Sequence, residues 1–506
     1  MSDHRTAQRL IGSSVVGLLA LAVNLITSVF LLPFLIIHLG DEWYGTWVLI
    51  GSVLGYFTVL DIGLFSATER YVALHFARRD WDEVNIVLST SLVVLVLVGL
   101  AGLLAVVLAT LALPVLIDSE STRATVRAVM LVCALDLALF FPGGAFNGVI
   151  VARLRYDLAG LLQIGKVVLR TVLIVYFVRE GYSILALAAI TLATNALERG
   201  AKIWLATRLF PELSLSLGKF SRRHYRDFVA YGVPSFLTEV SDKLRFYVDN
   251  VVVGALLGVG AVTGYNIAVR LAHYYIQVIA SGVGYLLPVF TAQLGTGDLA
   301  GLRRSLLFST RISVAASAFI GGFLVTLGGP VIELWVGPSY RSAALPLVIL
   351  IVGLFVEVAQ TPSTNLLFAL NRQSFLARLG IVEALANLVL SLALARPLGL
   401  TGVALGTALP LVLLRLTLQP AYVCRQVDVP LAAYARAVLR AALPAVLLHG
   451  VLWLVLAPLG ADRPLSAVVA GGSAALPLGF LVFLTAFDGD ERRLLLDSAR
   501  RWLRVP

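Results

Sequence analysis

Apolar runs dominate the chain. About 20 mainly apolar residues suffice to cross a bilayer as a helix, and fourteen such runs can be counted. They centre near 13–38, 43–66, 86–117, 126–150, 161–178, 183–204, 228–257, 261–290, 305–327, 343–368, 379–395, 400–423, 437–457 and 464–487. The runs are continuous and lack the in/out alternation of membrane strands. The pattern therefore predicts an all-α polytopic membrane protein with 14 transmembrane helices. Arg5 and Arg9 precede a first run longer than a signal-peptide core of roughly 7–15 residues, so it reads as an anchor that stays in the protein.

Composition agrees. Hydrophobic residues make up 59% of the 506 positions and charged residues 13%, against a usual charged share of about 25%. That excludes a soluble enzyme, a secreted disulfide scaffold or a disordered chain. The net charge of +10 would raise nucleic acid as a partner of a soluble protein. Here arginines kept on the cytoplasmic side explain it, and no nucleic acid is expected. With the N-terminus inside, the inside loops hold Arg70, Arg78, Arg79, Arg153, Arg155, Arg222, Arg223, Arg303 and Arg304, while outside loops carry about one arginine each. The expectation is a multi-pass protein of the cell inner membrane with both termini cytoplasmic. Cys133 and Cys424 read as packing residues, and no metal site or cofactor is indicated.

The chain also reads as duplicated. Gly40 and Gly258, Asn147 and Asn365, and Gly181 and Gly399 are each 218 apart. A six-span unit returns to its own side, so the two copies form a parallel repeat, as in transporters that hold substrate between two halves. The expected organisation is a cytoplasmic tail (1–12), an N-lobe with spans one to six (13–209), a basic linker (210–227) and a C-lobe with spans seven to twelve (228–424). Two extra C-terminal helices (425–487) and a cytoplasmic amphipathic tail (488–506) follow.

Candidate chemistry concentrates in span seven, which carries Glu239, Asp242, Lys243, Arg245 and Asp249. Facing lipid, five such residues would cost on the order of 12–17 kcal/mol. They fall on one side of a helix, with Glu239–Lys243 and Arg245–Asp249 at i,i+4 spacing. Two readings stand: a polar stripe lining a wet cavity, or two ion pairs that knit the helix to its neighbours. Asp61 in span two and Arg270 in span eight join the candidate cavity set. Asp136, Glu357, Glu383 and Arg415 are read mainly as interhelical ion pairs, and Asn24, Asn147, Asn195, Asn365 and Asn387 as interhelical hydrogen-bond residues. No P-loop, HExxH or GxSxG element occurs, and no external loop has room for a catalytic domain, so no enzyme is expected.

Three stretches then carry a resemblance. Asp249-Asn250-Val251-Val252-Val253-Gly254, Leu257-Gly258 and Gly264-Tyr265-Asn266-Ile267-Ala268 resemble the corresponding stretch of the polysaccharide flippases. These belong to the superfamily that also holds multidrug-and-toxin extruders and peptidoglycan-precursor flippases. Leu60-Asp61-Ile62-Gly63-Leu64 with Arg70-Tyr71-Val72-Ala73, and Gly399-Leu400-Thr401-Gly402-Val403-Ala404, are similar to the same family. The resemblance implies export of a polyprenyl-diphosphate-linked oligosaccharide from inner to outer leaflet by alternating access. Lys243, Arg245 and Arg270 would contact the diphosphate, and Asp249 and Asp61 would orient them or take part in ion coupling. Glu239 and Asp242 depart from a purely cationic cavity. Implied partners are the lipid-linked glycan, membrane lipids, and polymerases or glycosyltransferases of the same pathway. Two alternatives stay open: an ion-coupled multidrug or cation antiporter of the same fold, and a polyprenyl-phosphate-sugar glycosyltransferase suggested by Asp41-Glu42.

Overall fold

The computed structural model describes the backbone of residues 2–61, 63–111, 120–283 and 286–503. Side chains are described within these except at 2–11, 14, 59, 233–246, 281–283, 457–462, 494 and 498–503. Among the described residues there is no strand. In chain order the helices are α1 (Ser2–Phe57), α2 (Leu64–Ala77), α3 (Trp81–Leu111), α4 (Glu120–Ala145), α5 (Asn147–Ala152), α6 (Tyr156–Arg179), α7 (Ile184–Leu209), α8 (Arg222–Leu257) and α9 (Val259–Val283). They continue as α10 (Leu286–Gly295), α11 (Leu299–Val336), α12 (Ala344–Ala359), α13 (Thr361–Ala369), α14 (Gln373–Gln426), α15 (Leu431–Asp462), α16 (Pro464–Ala486) and α17 (Gly489–Leu503). Ten helical stretches among the described residues are long and apolar enough to cross a membrane.

Two helices are too long to be single spans. Fifty-four residues at about 1.5 Å each would reach roughly 80 Å across a core of about 30 Å. Gly399 breaks α14 with φ 60° and ψ −140°, a backbone region essentially confined to glycine. The limbs on either side fold back on each other: Ser391 Oγ reaches the Val403 carbonyl at 3.3 Å, and Asn387 Nδ2 donates to Thr407 Oγ1 at 3.0 Å. A Cβ on Gly406 would sit 2.7 Å from the Ser391 nitrogen, so only a bare backbone permits this approach. α14 is a hairpin of two antiparallel limbs. Gly40 breaks α1 in a similar way at φ 76°. Gly40, Gly181, Gly258 and Gly399, the two pairs spaced by 218, all take positive φ.

Contacts divide the chain into Met1–Tyr247 and Val248–Pro506, with the boundary inside α8. In the first unit, α3 packs on α4, α1 on α6, and α7 on both α4 and α6. Leu88, Leu95, Val129, Phe141 and Val149 are fully buried there. A Cβ on Gly99 would lie 2.6 Å from the Ala138 carbonyl, which sets how closely α3 and α4 approach. In the second unit α11 packs on α15 and α12, α12 on α14, and α15 on α16. Val314, Ala441 and Ala445 fill one core there and Phe290, Leu302 and Leu366 another. Cys133 and Cys424 are both free thiols, as their apolar settings suggest.

The amphipathic tail begins with a reciprocal cap. Asp488 Oδ1 accepts from the Glu491 N–H, and Glu491 Oε2 accepts from the Asp488 N–H, both at 3.1 Å. Arg311 of α11 forms an ion pair with Glu491 and lies 3.9 Å from Asp488. The Glu491 backbone hydrogen bond, followed by Arg311 and Arg440, holds the Asp488 carboxyl below the usual range.

Candidate functional site

A polar network runs through the interior of the second unit. The end of α8 carries Asp249, α9 carries Tyr265, and the α14 hairpin contributes Asn387 and Ser391 from one limb and Thr407 from the other. Asp249 Oδ2 accepts hydrogen bonds from Tyr265 Oη and Thr407 Oγ1, each at 2.6 Å. Asn387 donates to Thr407, and Ser391 Oγ donates to Asn387 Oδ1 at 3.1 Å. All five side chains are buried, Asp249 with 2% of its surface exposed. The hairpin makes the network, because Gly399 brings Asn387 opposite Thr407. Carboxylate, hydroxyl, amide and backbone-carbonyl oxygens are the donor types that a hard cation takes, and a carboxylate among hydroxyls also accepts a proton.

A second cluster lies on α12 and α14. Arg415 Nε and Nη2 grip Glu383 Oε1 and Oε2 at 2.8 and 3.0 Å, and Nη1 stands 3.5 Å from Glu357. Gln360 donates to the Arg415 carbonyl at 2.9 Å and accepts from Tyr434 Oη at 3.0 Å. The expectation of interhelical ion pairs holds for Glu357, Glu383 and Arg415. It holds also for Asp136, which pairs with Arg199 at 2.7 Å and accepts from Asn195 at 2.8 Å.

The structure places the seven candidate residues unequally. Asp61 is buried in the first unit, where its Oδ1 accepts from the Phe65 N–H at 3.1 Å and so fixes the start of α2. Asp249 lies in the network just described. Arg270 is exposed on α9, one turn from the half-buried His273. The side chains of Glu239, Asp242, Lys243 and Arg245 lie outside the described residues.

The first unit holds charges that hydropathy reading missed. Glu198 of α7 binds Lys166 of α6 at 2.7 Å and Lys202, one turn along α7, at 2.9 Å. With Arg199 and Asp136 these residues form a group of net charge +1 on α4, α6 and α7. Glu198 and Lys202 carry the same i,i+4 signal used for span seven, hidden by the apolar residues around them. Glu69 of α2 accepts from Asn147 of α5 at 2.7 Å.

Comparison with known proteins agrees with this architecture. Over 490 residues the chain is 23% identical to a protein of Bacillus subtilis (strain 168) described as "Uncharacterized membrane protein EpsK", covering 96% of this chain and 97% of that protein. Among solved structures it is similar to the lipid II flippase MurJ in an inward closed conformation. That match has a TM-score of 0.71 and 16% identity over 96% of this chain and 100% of the other. It is also similar to an inward-facing multidrug resistance MATE family transporter, with a TM-score of 0.67 and 17% identity over 82% of this chain and 98% of that one. Both are so distant in sequence that they speak for the fold alone. Residues 9–293, more than half the chain, match the family described as "Polysaccharide biosynthesis protein". An all-helical membrane chain of this fold, with polar networks sealed inside its helix bundles, thus belongs to the polysaccharide biosynthesis protein family.

Proposed function

We propose that this protein translocates a polyprenyl-diphosphate-linked oligosaccharide from the inner to the outer leaflet of the cell inner membrane by alternating access. Family membership is the observation that carries this reading. In this reading the chain spans the membrane fourteen times with both termini cytoplasmic. Two six-span lobes form a parallel repeat, and the four positive-φ glycines at a 218-residue spacing support it. Arg270 is exposed in the middle of α9. A guanidinium there costs about 2.5–3.5 kcal/mol against lipid and little against water, so it suits the wall of a hydrated cavity. Arg270, Lys243 and Arg245 supply the positive charge that a diphosphate binds through charge-assisted hydrogen bonds. Glu239 and Asp242 belong to the same wall.

Asp249 serves the ion-coupling half of the cycle. Its buried carboxylate ties α8 to α9 and to the α14 hairpin, so taking up a cation or proton alters the bonds joining three helices. Asp61 sets the start of α2 in the first lobe. The test is reconstitution into vesicles with a fluorescent polyprenyl-diphosphate lipid. Wild-type protein should move the lipid across the bilayer, and Arg270→Ala and Arg245→Ala should slow it. No movement by wild type, or movement by both variants at the wild-type rate, removes the assignment. A multidrug or cation antiporter is the second reading, favoured by the likeness to the MATE transporter and by the acidic pair Glu239 and Asp242. Cation-driven efflux of a lipophilic dye without lipid movement would select it.

A further inference from the structure

Three donor side chains from distant parts of the chain converge in the first unit. His75 lies in the last turn of α2, Glu83 in the first turn of α3 and His224 in the first turn of α8. One potential ligand atom of each lies within 4.8 Å of the other two. The short turn between α2 and α3, with Arg79 at φ 57°, brings His75 beside Glu83. The approach to α8 is laced along α3: Asn85 donates to the Glu212 carbonyl and accepts from the Ser214 N–H. Ser89 accepts from the Ser216 N–H and Thr90 from the Ser221 N–H. That lacing delivers the His224 ring to Glu83.

The details of the meeting point are those of a ligand set. Ser221 Oγ lies 3.0 Å from His224 Nδ1 and fixes the ring, leaving Nε2 to face Glu83 Oε2 at 3.2 Å. Such an outer hydrogen bond is the usual orienting device behind a metal-bound imidazole. Glu83 Oε2 and His75 Nδ1 are both shielded from solvent; Glu83 Oε2 faces only the His224 nitrogen among the described residues, and His75 Nδ1 makes no hydrogen bond. A covered imidazole nitrogen without a hydrogen bond, beside a carboxylate and a held imidazole, is costly unless something lies among them to satisfy it. The neighbouring Arg78, Arg79, Arg222 and Arg223 are exposed to solvent, and two imidazoles and one carboxylate meet between them.

We propose that His75, Glu83 and His224 form a divalent transition-metal site of the zinc class that clamps the start of α8 to the α2–α3 turn. Two imidazole nitrogens and one carboxylate oxygen are a zinc-type donor set, with a fourth position open to water. Bonds of about 2.0–2.2 Å put tetrahedral ligands about 3.4 Å apart. The widest pair, which involves His75, must therefore close by at most about 1.4 Å, within the reach of side-chain rotation about the α2–α3 turn. Because α8 also carries Glu239 to Asp249, an occupied site restrains the helix with the densest intramembrane charge. The site is independent of what the protein transports.

The test uses the full chain in detergent, purified without a histidine tag, stripped with chelator and titrated with Co²⁺ under visible absorption. Wild type should bind one equivalent, displaced by Zn²⁺, and Zn²⁺ should raise its thermal midpoint. His75→Gln, His224→Gln and Glu83→Gln should each weaken binding by about tenfold or more, whereas His38→Gln on α1 should leave it unchanged. The metal-free midpoint of each variant identifies any that fails to fold, and Glu83→Gln, at the more open edge of the cluster, then decides. Absence of cobalt absorption in wild type, its persistence in folded Glu83→Gln and His224→Gln, or its loss in His38→Gln overturns the proposal. A transport defect with intact metal binding, or the reverse, separates this site from the transport reading.

Discussion

Replacing Arg415 with methionine should destabilise the protein far more than replacing Arg415 and Glu383 together. The guanidinium makes a two-pronged contact with Glu383 at 2.8 and 3.0 Å and stands 3.5 Å from Glu357. Glu383 is 1% exposed and Arg415 8%. At an effective dielectric constant of about 20, unit charges about 4 Å apart attract by roughly 4 kcal/mol. Arg415→Met removes two such attractions and leaves Glu383 buried beside Glu357 without its counter-charge. Breaking a buried pair in this one-sided manner costs about 3–5 kcal/mol, whereas exchanging both partners for apolar side chains is often close to neutral. Glu383→Met alone should cost less than Arg415→Met, because Glu357 still balances the arginine. The double variant should therefore fall well short of the summed singles, with a coupling energy of about 2 kcal/mol or more.

The protein supplies its own reporter for the assay. Cys424 is buried and Cys133 half-buried, so a thiol-reactive dye labels them as the fold opens in mixed detergent micelles. Equilibrium unfolding of wild type, both singles and the double closes the cycle. Single losses below about 1 kcal/mol that add within about 0.5 kcal/mol would refute the claim that this cluster is a desolvated charge network.

Other expectations follow from the same geometry. Asp249→Asn keeps an acceptor for Tyr265 and Thr407 but loses the charge, so it should stop any ion dependence of transport while costing about 1–2 kcal/mol of stability; unchanged ion dependence in the vesicle assay would contradict this. Gly406→Leu must push the two limbs of the α14 hairpin apart and should abolish folded protein in gel filtration, whereas Gly472→Leu, with open space at its Cβ, should be tolerated. The Asp488 carboxyl is held below its usual range, so its contribution to capping α17 is complete above about pH 4 and is lost as pH falls through the lowered value. Amide hydrogen-exchange protection across 489–497 should fall at low pH in wild type and already at neutral pH in Asp488→Ala.

Much of the fold is legible in the sequence because membrane physics is severe. A bilayer demands long apolar helices, and composition alone announces them. Gly399 falls between the runs 379–395 and 400–423, and the structure turns there at φ 60° and ψ −140°, a region that excludes side chains. Charge was legible where single residues interrupt apolar runs, as at Asp136, Glu357, Glu383 and Arg415, and it was missed around Glu198. Glu198, Arg199 and Lys202 sit in a helix whose apolar majority hides them, and their partners Lys166 and Asp136 lie on other helices. His75 and His224 are 149 residues apart and meet only because Asn85, Ser89 and Thr90 carry the hydrogen bonds of the 212–221 segment.

The intramembrane charges then sort by how they escape lipid, and the sorting bears on mechanism. Asp136, Glu198, Glu383 and Arg415 are neutralised by partners inside their own units, which serves helix packing and needs no motion. Asp249 is buried with its Oδ2 held by the Tyr265 and Thr407 hydroxyls, so one carboxylate joins α8 to α9 and to the α14 hairpin. A carboxylate at the junction of three helices couples any cation or proton it takes up to their packing. Arg270 is exposed on α9, so its charge requires water or an anion. The three-helix junction at Asp249 and the exposure of Arg270 are why these two, rather than the Arg415 cluster, are the residues to perturb when transport is measured.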